Sequence, residues 1–101
     1  RIAITAPGLK SVALRNGQLA IQLEPPAALP VLFVFIRGIG KVEQIQLADV
    51  PLPQVANMDI LIWQSPNLTS GWTSHEKGVF IRLINPPLSC ALHVSFRALS
   101  P

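Results

Sequence analysis

The chain of 101 residues is 50% apolar and only 13% charged, with a formal net charge of +3 at pH 7, and it is long enough for one domain with a single core. Its basic residues, Arg1, Lys10, Arg15, Arg37, Lys41, Lys77, Arg82 and Arg97, stand singly, which argues against a nucleic-acid partner. Its longest apolar stretch, residues 27–36, contains Pro30 and ends at Arg37, far short of the roughly 20 residues of a membrane-spanning helix.

The chain starts with Arg1, and residues 1–7 lack the apolar centre of a signal peptide, as expected of a processed chain, a fragment or an omitted initiator methionine. Residues 2–5 read as an edge strand. Asn16-Gly17 lies between alternating runs, Val12 and Leu14 before it and Leu19, Ile21 and Leu23 after it; both turn residues tolerate positive φ, so the segment predicts a two-residue type I′ hairpin. Residues 31–36 are apolar on both faces and rich in branched and aromatic side chains, which predicts an interior strand covered on both sides. Gly38-Ile39-Gly40-Lys41 lacks the spacing of a phosphate-binding loop and reads as a hairpin turn. In residues 41–48, Val42 falls one residue out of phase with Ile45 and Leu47, which a bulge near Glu43-Gln44 would repair.

Residues 57–63 and 78–84 predict two further strands joined as a hairpin by a long loop over residues 64–77. In residues 89–99, Cys90, Leu92, Val94, Phe96 and Ala98 alternate with Ala91, His93, Ser95, Arg97 and Leu99, the clearest strand of the chain. The intervening segments 24–26, 49–53 and 85–87 combine turn formers with proline, which cannot donate to a sheet ladder. With no sustained helical period, the expectation is all-β: an antiparallel β-sandwich, jelly-roll or immunoglobulin-like, of about 7–8 short strands in a single domain over residues 1–101.

Candidate chemistry is sparse. Cys90 and His93, three residues apart on a strand, point to opposite faces and cannot form a nucleophile–base pair, so Cys90 reads as a small core residue. Ser74 and His75 adjoin one another, but no Gly-x-Ser-x-Gly elbow presents a nucleophile. The five carboxylates are dispersed, and a single cysteine provides neither a disulfide nor a cysteine-rich zinc site. No enzyme, cofactor or metal site is therefore expected.

Contact surfaces are better represented. If Met58, Ile60 and Ile62 fill the core, Leu61 and Trp63 face outward; if Val79, Ile81 and Leu83 do, then Phe80, Arg82 and Ile84 face outward. Contiguous apolar patches of more than a few hundred Å² are rare on monomers, and a charge content well below the usual value of about 25% fits a surface covered by a partner. Trp72 and His75 complete the expected contact set from the 64–77 loop. The first reading is a structural or assembly subunit of a multi-subunit particle, of virion capsid, decoration or tail type or a cell-surface appendage, with copies of itself or other subunits as partners and a virion or extracellular surface as its location. The second is a carbohydrate-binding module in which Trp63 and Trp72 form an aromatic platform for a glycan, the alternative for Trp72 being a hydrophobic plug over the end of the sandwich.

Overall fold

A computed structural model describes residues 2–55, 70–75 and 78–97. Among these residues the strands are β1 (Ala3–Thr5), β2 (Leu9–Arg15), β3 (Gln18–Leu23), β4 (Val31–Arg37), β5 (Lys41–Leu47), β6 (Val50–Pro51), β7 (Gly71–His75), β8 (Gly78–Ile84) and β9 (Cys90–Arg97). They form two sheets, a four-stranded one in the order β1-β4-β8-β7 and a five-stranded one in the order β2-β3-β9-β5-β6, with every named strand pair antiparallel. The fold is a β-sandwich, as the period-two rhythm requires.

Each sheet contributes one apolar row per strand to the interior. Leu19, Ile21 and Leu23 on β3, Val42 and Ile45 on β5, and Cys90, Leu92 and Val94 on β9 face Leu32, Val34 and Ile36 on β4 and Val79, Ile81 and Leu83 on β8. The side chains at alternate positions of these strands point away, which is why β3 and β9 carry glutamine, alanine, serine and histidine there.

Local chemistry explains the connections. Asn16 and Gly17 adopt φ of 38° and 82°, so the expected type I′ turn joins β2 to β3 with Arg15 opposite Gln18. Ala48 and Asp49, at φ of 50° and 67°, make a second tight turn, and Pro51 sits on the edge strand β6, where its missing N–H leaves no ladder bond unmade. The register of β5 against β9 shifts between Val42 and Gln44, which is the bulge that the phase slip predicted. It returns Ile45 to the core.

Several expectations require correction. Gly38-Ile39-Gly40 is no hairpin turn: β4 and β5 belong to different sheets, so the segment crosses the sandwich and Ile39 is buried as it does so. Residues 64–77 are not a continuous loop, because Gly71–His75 is a strand whose hairpin partner is β8. The partnership expected of residues 57–63 lies outside the described residues. β4 is interior within its sheet, between β1 and β8, yet only partly covered on its outward face, where Val31 and Phe35 are half-buried and Phe33 is 39% exposed.

Candidate contact surfaces

The outward face of the four-stranded sheet gathers part of the expected contact set. Directly opposed residues of an antiparallel pair share a face, so the pairings Phe33–Arg82, Phe35–Phe80 and Thr73–Phe80 place these side chains together. The Phe80 ring lies 5.2 Å from Phe33 and 6.0 Å from Phe35 between centroids, both tilted, within the range in which aromatic pairs attract. The Arg37 guanidinium sits 5.2 Å from the centroid of the Phe35 ring. Ile84, next along β8, is half-buried and its backbone N–H donates to Ser70 Oγ at 2.9 Å.

Arg82 has a different environment from the one its position on an outward face implies. It is only 3% exposed, and Thr73 beside it is 1% exposed. Of the other expected contact residues, Leu61 and Trp63 lie outside the described residues, and His75 ends β7 opposite Gly78. The close approach there is set by glycine: a Cβ on Gly78 would collide with the Ile36 carbonyl oxygen.

Trp72 faces the interior. It pairs with Ile81 and is 2% exposed, with Nε1–H donating to the Leu52 carbonyl at 3.2 Å. Its own N–H donates to the Pro53 carbonyl at 3.0 Å and its carbonyl accepts from Val55 N–H at 2.8 Å, so β7 is stitched to the segment after β6 through this residue. A sugar platform needs an open ring face. Trp72 has none to offer and acts as a plug.

An open apolar surface lies at the other edge of the molecule. β2 is exposed along its whole length and, among the described residues, has β3 as its one neighbour. The alternation set by the hairpin turns Leu9, Val12 and Leu14 to the same side as the core residues Leu23, Ile21 and Leu19 opposite them. They remain 41%, 44% and 55% exposed. The cause is a mismatch in length: β1, the facing edge strand, has three residues against seven in β2, and Pro7 and Gly8 follow it. Between these edges lies a groove of 360 Å³ lined by Ile2, Ile4, Leu9, Val12, Leu14 and Leu19. Among the described residues no charged group lines it; Lys10 is turned to Glu24 at 2.8 Å, and Arg15 lies on the opposite face of the strand with Gln18.

Sequence reasoning placed Val12 and Leu14 on a strand but did not single them out for contact. Their alternation is that of an ordinary core-facing strand, and only the sheet order makes β2 an edge. A three-residue β1 cut short by proline was the available signal.

Cys90 and His93 lie on opposite faces of β9. Cys90 is buried on the core side of β9, and that burial pushes its thiol above the ordinary value. His93 is on the other face, opposite Ala20 and Gln46, with its Nδ1 atom buried and without a hydrogen-bond partner among the described residues. No group of three or more His, Cys, Asp or Glu side chains positioned to hold a metal ion occurs among the described residues. No helix of the described chain is long and apolar enough to cross a membrane. Comparison of the chain with protein-family models, curated proteins and solved structures gives no match.

Proposed function

We propose that this protein is a non-enzymatic structural subunit that builds a multi-subunit particle, virion-like or on a cell surface, through apolar contact surfaces. The observation that carries this reading is the open edge of the sandwich, where Leu9, Val12 and Leu14 lie on the core side of β2 with about half of their surface uncovered. Monomers leave single apolar side chains wet without consequence; a strand edge with unused backbone groups above an apolar groove is a template for another strand.

The magnitudes indicate what such an edge supports. Completing the burial of three half-covered aliphatic side chains is worth about 3 kcal/mol per copy, at about 1 kcal/mol each. Association must overcome about 4–15 kcal/mol of lost freedom, so this edge sustains modest affinity and a particle requires a second contact. The outward Phe33, Phe35 and Phe80 cluster provides one, on a different side of the same molecule. Two separate apolar surfaces on one small domain are what a subunit with more than one neighbour needs.

Sedimentation velocity of the intact chain over a rising concentration series tests this reading. Concentration-dependent association is the expected result. A clean monomer throughout would remove the reading.

A further inference from the structure

Resting on the assembly reading, we propose that the occupant of the open edge is a second copy of this chain, joined β2 to β2 in antiparallel fashion about a two-fold axis at Ala13. Val12 and Leu14 of each copy then lie opposite Leu14 and Val12 of the other, and the two five-stranded sheets become one continuous sheet.

The backbone restricts the options first. In a two-residue hairpin the residues flanking the turn form a hydrogen-bonded pair, and such pairs alternate along an antiparallel ladder. Arg15 and Gln18 flank Asn16-Gly17, so Arg15, Ala13 and Ser11 direct their N–H and C=O groups to β3. Val12 and Leu14 direct theirs to the open edge. An incoming strand can be bonded only where its own outward groups meet those of Val12 and Leu14. Two copies related at Ala13 meet this condition at both positions.

Side chains select the same register. Directly opposed residues share a face, so Val12 and Leu14, on the core side, meet Leu14 and Val12 on the core side of the other copy. Together they close the mouth of the groove between Ile2, Ile4 and Leu19. On the far face Arg15 meets Ser11 of the second copy, and the two arginines stay apart.

Charge also bears on the identity of the partner. Lysine and bulges on edge strands normally discourage such pairing. Here the register shift falls between Leu9 and Ser11, and Lys10 within it is held by Glu24 at 2.8 Å. Ser11 to Leu14 carries neither charge nor proline. The uncharged segment is bounded by Lys10 and Arg15, and a two-fold axis at Ala13 sets Arg15 opposite Ser11 and Lys10 opposite Asn16, so no like charges oppose each other across the pair.

Cysteine cross-linking tests the register. Residues at a non-hydrogen-bonded antiparallel position have Cα atoms about 4.5 Å apart, within the range a disulfide spans. Ala13 is exposed and the native Cys90 is buried, so Ala13→Cys introduces the reactive thiol with the wild type as control. Under mild oxidation, Ala13→Cys is expected to form covalent dimers and Val12→Cys to form few. Val12→Lys, which brings ammonium groups into the paired apolar face, should weaken association about 100-fold while leaving the monomer's circular dichroism unchanged. A dimer that forms without the Ala13→Cys cross-link and tolerates Val12→Lys would overturn this pairing while leaving the assembly reading intact, as would cross-linking dominated by Val12→Cys. A monomer at every concentration would overturn both.

Discussion

Removing the Trp72 ring tests whether it closes the sandwich or serves a surface. Trp72→Phe keeps the backbone links of β7 to Pro53 and Val55 but removes the Nε1–H that donates to the Leu52 carbonyl at 3.2 Å. The abandoned carbonyl costs about 1 kcal/mol, and the lost apolar area of the larger ring about 1 kcal/mol more. The sum, about 2 kcal/mol, corresponds to a fall of about 10 °C in Tm for a domain of this size. Trp72→Ala removes nearly the whole of a side chain that is 2% exposed, so its cost rises to about 3–5 kcal/mol. Urea and thermal unfolding followed by far-ultraviolet circular dichroism measure both variants independently of tryptophan emission. A change in Trp72→Ala within about 0.5 kcal/mol of the wild type, the range of an ordinary surface substitution, would refute the reasoning and return the ring to the surface.

Three further outcomes follow from single atoms. Gly78→Ala drives a methyl group into the Ile36 carbonyl oxygen across the β4–β8 pair, where backbone on both sides limits relaxation, so urea midpoints should report a loss of about 2 kcal/mol or more; a neutral result would contradict the β4–β8 register. Gly17→Ala places a Cβ at a φ of 82° and 2.9 Å from the Phe96 carbonyl oxygen, and chemical denaturation should show about 1–2 kcal/mol of destabilisation. Burial pushes the Cys90 thiol above its ordinary value of 9.0, so the folded chain holds that proton more tightly than the unfolded chain. The resulting stability is complete below pH 9.0 and declines as pH rises through 9.0 toward the folded-state value. The Tm difference between wild type and Cys90→Ala should shift against the wild type above that pH, and a pH-independent difference would show the thiol to be in contact with water.

The parts of the fold that are legible in the sequence are those decided locally. Asn16-Gly17 specifies its turn because both residues tolerate positive φ, the phase slip after Val42 requires a bulge, and the alternation from Cys90 to Phe96 separates the faces of β9. Non-local decisions were not legible. Gly38-Ile39-Gly40 has the composition of a turn, and only the need to bury Ile39 while changing sheets shows that it is a crossing. Gly71 to His75 has one large apolar residue, Trp72, and becomes a strand because β8 offers it an edge. Phe80 was legible as outward-facing, whereas its tilted ring contacts with Phe33 and Phe35 depend on the β4–β8 pairing. The open edge is the extreme case, since Val12 and Leu14 carry a core pattern and their exposure results from strand order and from the shortness of β1.

The central claim is that the outward backbone groups of β2 and the apolar side chains beside them are used in association. Amide hydrogen exchange resolved at single residues, measured on the intact chain at increasing concentration, addresses it directly. The N–H groups of Val12 and Leu14 point away from β3 and should exchange quickly at low concentration, then become protected as concentration rises. Those of Ser11 and Ala13, already bonded to β3, should change little. Fast exchange at Val12 and Leu14 that is independent of concentration, in a chain that otherwise associates, would contradict the use of this edge; in a chain that stays monomeric it would contradict the proposed function itself.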